Sequence, residues 1–219
     1  MTNRAPPRPR IARGWLIIVA LPLAAYGASV ELQEYQSVLS SKADVVHGEQ
    51  LFDTCAACHG PKGNGVSDGT IPAIAGQQFR VIARQLVNFR HDKRWDERMQ
   101  HFTSNHHLAG AQDIADVAAY ISGMSPTHSL GQGSGEHLER AANFYAQLCA
   151  PCHGASAQGD DAKGVPRLAG QHYVYLLRQL DNAAAGLRPD FPHEHVRLDG
   201  TIGRPDLTGI ADYLSRLGP

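Results

Sequence analysis

The sequence predicts an all-α protein built from two tandem copies of one helical module, and three observations carry the prediction. Identical residues return at one fixed offset of 94 along the chain. Apolar residues recur at spacings of three and four, the mark of a helix with one buried face. All four cysteines fall in two Cys-x-x-Cys-His-Gly motifs, one in each copy.

The repeat is dense. Cys55, Cys58, His59 and Gly60 fall on Cys149, Cys152, His153 and Gly154, and Gly65 falls on Gly159. Pro72 meets Pro166, and Ala75-Gly76-Gln77 meets Ala169-Gly170-Gln171. Arg84-Gln85-Leu86 meets Arg178-Gln179-Leu180, while Asn88 and Arg94 meet Asn182 and Arg188. Near the end the offset becomes 93 and pairs Tyr120 with Tyr213. Such self-similarity at one period marks a duplicated structural unit.

Each copy reads as three helices around a loop. A first helix, about 45–54 and about 138–148, leads into the cysteine motif. The glycines that follow, Gly63, Gly65 and Gly69 or Gly159 and Gly164, permit tight turns. A middle helix of about 78–89 presents Phe79, Ile82, Leu86 and Phe89, and its copy presents Tyr173, Leu176, Leu177 and Leu180. The closing helix carries Ile114, Val117, Ala118 and Ile121, matched by Ile210, Tyr213, Leu214 and Leu217. Asp113 and Asp206 lie near the starts of these helices, where a carboxylate complements the helix dipole. The domain boundaries expected are 45–124 and 138–219, with linkers at 29–44 and 125–137.

With 219 residues, 42% hydrophobic and 19% charged, the composition is that of an ordinary globular protein and gives no sign of nucleic-acid binding. Modules of this size bury little core of their own, so an enclosed apolar group would supply much of the missing contact. Residues 1–28 read as a signal peptide or N-terminal membrane anchor: four arginines precede the short apolar run from Trp15 to Tyr26, followed by small residues. Without them the chain has 16 basic and 21 acidic side chains and a formal charge of −5. An acidic surface of this kind can steer a protein toward a basic partner.

Cys-x-x-Cys-His is the pattern of covalent c-type haem attachment. Cysteines three apart on one helical turn can form thioethers to the two vinyl groups of a porphyrin, and the next histidine can reach the iron. A zinc ribbon also uses two such pairs, but at a separation of some fifteen to twenty residues, against 94 here. The expected cofactors are therefore two haem c, held by Cys55 and Cys58, and by Cys149 and Cys152, with His59 and His153 as iron ligands.

The second axial ligands differ between the copies. Met99 is the only methionine between the middle and closing helices of the first copy, and a thioether raises the potential relative to a second histidine. His101, His106 and His107 lie close by, with His101 the main rival. After His153 there is no methionine, and Met99-Gln-His aligns with His193-Glu-His195. Haem 2 is thus expected to be His/His, through His193 by register or through His195. Pro72 and Pro166, thirteen residues beyond the proximal histidines, are positioned for a backbone carbonyl to orient the imidazole. Arg84, Arg94, Arg178 and Arg188 are candidates for the haem propionates.

At these residues the sequence resembles the dihaem cytochrome c4 family: twin CxxCHG motifs, Pro-x-Ile/Leu-Ala-Gly-Gln segments, Arg-Gln-Leu helices and terminal Ala-x-Tyr-Ile/Leu-Ser segments. The resemblance runs from about residue 45 to the C-terminus. It implies two class I cytochrome c domains related by a pseudo-two-fold axis, each enclosing one haem, in a periplasmic electron carrier serving a terminal oxidase or other respiratory complex. It also implies His/Met ligation at both haems, from which the second copy departs. The leading expectation is a carrier without substrate chemistry. Two alternatives remain: a thiosulfate-dehydrogenase-like or peroxidase-like dihaem oxidoreductase, and a membrane-tethered relay subunit of a larger complex.

Overall fold

The computed structural model describes residues 23–126, 131–191, 195 and 202–218, with side chains from residue 30 onward. In the first module α2 (Val45–His59) carries the cysteine motif, α3 (Phe79–Arg90) is the middle helix, α4 (Glu97–Thr103) is short, and α5 (Ala111–Gly123) closes the module. The second module contains α6 (Leu138–Phe144), a π-helical turn (Tyr145–Cys149), α7 (Ala150–His153), α8 (Tyr173–Ala184) and α9 (Arg204–Arg216). Among the described residues the extended pairing is a single bridge between Asp160 and Val165.

One sequence expectation changes. The segment 29–44, expected as a linker, is mostly helix: α1 (Leu23–Ser40) packs along α3 and α5. Val38 is fully buried, and Glu34 holds both Arg90 and His91. Linker composition did not reveal this, because α1 gains its stability from tertiary packing rather than from a strongly amphipathic pattern. Of the segment 1–28, residues 1–22 lie outside the described residues, and residues 23–28 open α1. Among the described residues no helix is long and apolar enough to cross a membrane.

In each module the first helix crosses the last at a small residue. A Cβ on Gly48 would lie 2.1 Å from the Asp116 carbonyl oxygen, so only glycine allows α2 to approach α5 this closely. In the second module the glycine has moved to the closing helix, where Gly209 faces Ala141. An aromatic pair marks each crossing: Phe52–Tyr120 at 5.3 Å and Tyr145–Tyr213 at 5.7 Å between ring centroids. These pairs obey an offset of 93, whereas the cysteines obey 94. The π-helical turn at Tyr145–Cys149 lies between them and absorbs the extra residue without shifting either the crossing or the motif.

Each module has its own apolar core. One centres on Phe52, Leu86, Val87, Ile114 and Val117, the other on Tyr145, Leu176, Ile210 and Leu214. The seam between the modules is polar and reciprocal. Gln77 donates to the Arg167 carbonyl and accepts from the Arg167 amide, both at 2.9 Å. Its copy Gln171 does the same with Ala73, at 2.7 and 3.0 Å. Arg84 donates to the Gly164 carbonyl at 2.8 Å, and Arg178 to the Thr70 carbonyl at 3.3 Å. The Gln78 amide donates to the Gln158 carbonyl at 2.9 Å, and the His172 ring to the Asn64 carbonyl at 2.7 Å. Every one of these pairs maps onto the other by the offset of 94, which is what a pseudo-two-fold axis requires.

Candidate haem sites

The last turn of α2 presents Cys55, Cys58 and His59. His59 is 6% exposed, and its Nδ1 lies 2.9 Å from the Pro72 carbonyl oxygen. A carbonyl can only accept, so Nδ1 carries the hydrogen and Nε2 keeps its lone pair, the tautomer a metal ligand needs. His153 repeats the arrangement with the Pro166 carbonyl at 3.0 Å, also at 6% exposure. Burial pushes both imidazoles below their ordinary pKa, against the pull of the proline carbonyls, and so favours the neutral form.

A glycine turn brings each proline carbonyl beneath its histidine. Gly65, at φ +67°, donates to the His59 carbonyl at 2.8 Å, and Gly159, at φ +73°, donates to that of His153 at 2.8 Å. A Cβ on Gly65 would stand 2.3 Å from the Ile71 oxygen and 2.5 Å from the Pro72 oxygen. Cys55 and Cys149 are half-buried, and burial lifts both thiols to about 11, while Cys58 and Cys152 are exposed. None of the four forms a disulfide.

Met99 sits on the short helix α4, between the middle and closing helices, with its amide capped by Asp96 at 3.2 Å. Its side chain packs with Cys55 against the first module's core. His101 is exposed and turns Nε2 toward His107 Nε2, 3.1 Å away, while His106 is exposed. In the second module His193 lies outside the described residues. His195 is described: its ring centroid is 6.0 Å from that of His153 at an interplanar angle of 82°, and it stacks on Phe191 at 5.2 Å.

The four repeated arginines all reach the seam. Arg94 donates to Gln85 at 2.6 Å, to Tyr175 Oη at 2.8 Å and to Gln179 at 3.2 Å. Arg188 donates to Gln179, to Gln85 at 3.2 Å, and to the buried Asp190 at 2.7 Å through both Nε and an Nη. Burial alone would raise the Asp190 carboxyl, but Arg188, Arg94 and Asn88 together hold it below the usual range. These guanidiniums therefore have protein partners, most of them on the opposite module. Sequence reasoning missed Arg167, whose repeat partner is Ala73. Arg84 and Arg167 each keep a buried Nε donor without a hydrogen-bond partner.

The family model for cytochrome c matches residues 45–125 and 138–217. The cytochrome c4 of Thiocapsa roseopersicina is 30% identical over 192 residues, covering 84% of this chain and 97% of the relative. The chain belongs to the dihaem cytochrome c4 family. Reduced cytochrome c4 from Pseudomonas stutzeri superposes with a TM-score of 0.70 at 24% identity, covering 81% of this chain and all of that one. A thiosulfate dehydrogenase from Marichromatium purpuratum superposes with a TM-score of 0.69 at 26% identity, covering 80% of this chain but 40% of that one.

As a member of the c4 family the protein carries two covalently bound haem c, one per Cys-x-x-Cys-His motif. The residues present fit that group. Each motif ends in a buried, correctly protonated imidazole, and unpartnered guanidinium donors lie buried at Arg84 and Arg167. The chain is a dihaem electron-transfer cytochrome.

Proposed function

We propose that this protein is a periplasmic electron carrier between respiratory redox partners, with a His59/Met99 haem in the first module and a His153/His195 haem in the second. The observation that carries the unequal pair is the separation of the His153 and His195 rings. Two imidazoles that held one iron between them, each nitrogen about 2 Å from it, would have centres roughly 6 Å apart. The rings are 6.0 Å apart. This favours His195 over His193, the residue that register alone preferred.

Bound haem supplies one-electron chemistry at iron. The chain's own residues orient and tune it. His59 and His153 are held by the Pro72 and Pro166 carbonyls, which fixes each ring and raises its basicity. Met99 is delivered by a capped helix, whereas His195 is braced by the Phe191 ring. Arg84 and Arg167 keep spare buried Nε donors that would suit propionate oxygens.

Near-infrared magnetic circular dichroism of the ferric protein tests the ligand sets. One His/Met and one His/His charge-transfer band are expected, and His195→Ala should remove the second alone. In a redox titration the Met-ligated haem should titrate above the bis-histidine haem. Equal potentials would sink the asymmetry.

The similarity to the Marichromatium thiosulfate dehydrogenase supports a second reading, an oxidoreductase component. Carbon monoxide separates the two. A carrier with both irons six-coordinate leaves no site for it, whereas binding at one reduced haem would mark an open iron.

A further inference from the structure

We infer that the His101–His107 pair at the surface of the first module is a binding site for one divalent transition-metal ion of the zinc or copper(II) class, separate from both haem sites. Two independent measures of the pair agree with a single ion. The Nε2 atoms are 3.1 Å apart, and the ring centroids are 4.8 Å apart at an interplanar angle of 65°. An ion about 2.0–2.1 Å from both nitrogens, on the lone-pair axis of each ring, with an N–metal–N angle of about 100°, reproduces both separations. Two rings joined head to head by a straight N–H···N bond of the same length would hold their centroids farther apart, so the rings are bent away from that arrangement, as a shared ion requires.

The pair is held in place before any ion arrives. His101 is on the last turn of α4, and His107 follows in the next turn, where its amide donates to the Ser104 carbonyl at 3.0 Å. Arg90, reaching from α3, donates to the Thr103 and Leu108 carbonyls at 2.7 Å each and so pins the chain on both sides of that turn. The Phe102 ring supports both imidazoles, at 5.1 and 5.2 Å between centroids. Neutral imidazole is a favoured ligand of zinc and copper(II); His101 is exposed and His107 half-buried, which leaves the remaining coordination positions to water. No cysteine or haem ligand takes part. The site rests on the reading that Met99, and not His101, ligates haem 1.

Zinc chloride titrated calorimetrically into the full dihaem protein tests the assignment. One equivalent should bind, His101→Asn and His107→Asn should each weaken it at least tenfold, and the double variant should lose it. His137→Asn, at a distant histidine, should leave the isotherm unchanged. An unaltered Soret and far-ultraviolet spectrum in the double variant would tie the loss to the ligands rather than to misfolding. A double variant with the wild-type isotherm overturns the assignment, as zinc held by His47, Asp113 and Asp116 would produce. A wild-type protein showing no saturable binding overturns it too.

Discussion

Gly60 and Gly65 lie five residues apart in the same loop, both at positive φ, yet their substitution should have unequal effects. A Cβ on Gly60 meets nothing within 4 Å, so Gly60→Ala carries the backbone penalty alone, about 1–3 kcal/mol. A Cβ on Gly65 runs into the backbone of Ile71 and Pro72, the segment that aims the carbonyl at His59. Gly65→Ala should therefore cost more than Gly60→Ala in chemical denaturation and should also disturb the haem 1 spectrum. Asp96 and Asp190 show how one repeat position can serve two purposes. Asp96 caps the helix bearing Met99, whereas Asp190 is buried against Arg188 at the seam. Asp190→Ala leaves that guanidinium buried without its carboxylate, and a loss of about 3–5 kcal/mol is expected in urea unfolding.

The stretch 131–135 behaves as a strap tied to α9. Gly133 and Gly135 donate their amides to the two Asp212 oxygens at 2.9 and 2.7 Å, and Arg216 pairs with the same carboxylate at 2.8 Å. Burial raises the Asp212 carboxyl, but Arg216 and the two glycine amides more than offset it and leave it below its usual range. A carboxyl depressed in the folded state contributes stability that is fully present above the unfolded pKa of about 3.9 and is lost as pH falls through the folded value. The wild type should therefore lose stability below about pH 4. Asp212→Asn should be less stable at neutral pH, by about 1–3 kcal/mol, and flatter in its acid dependence when unfolding is followed by circular dichroism. The helix α1 went unread for a related reason. Its hold on the module comes from Val38 and from Glu34 reaching Arg90 and His91, contacts 56 and 57 residues apart that no local pattern displays.

Across the whole molecule, the seam makes Gln77 and Gln171 equivalent although they lie in different modules. Each exchanges two hydrogen bonds with the opposite backbone. Gln77→Ala and Gln171→Ala should destabilise by similar amounts, about 1–3 kcal/mol each. The double variant should loosen the docking of the modules, seen as faster amide exchange at Ala73 and Arg167. An effect confined to one glutamine would contradict the two-fold reading of the seam.

The division of labour between sequence and fold follows from the range of the interactions. Haem attachment was legible because two thioethers and an axial histidine need residues within one helical turn, and the thirteen-residue reach to Pro72 and Pro166 was legible because it repeats. The helical modules were legible from period and offset. Repetition alone could not say what the repeated polar residues do. Gln77, Arg84, Gln85 and Arg94 recur because a pseudo-two-fold seam uses each of them twice, and their partners lie 80 to 105 residues away. The π-helical turn that reconciles offsets 93 and 94 and the facing pair His101 and His107 were likewise decided by three-dimensional packing. Local covalent chemistry is written in adjacent residues. The direction in which a side chain points is set by neighbours that the chain brings together only on folding.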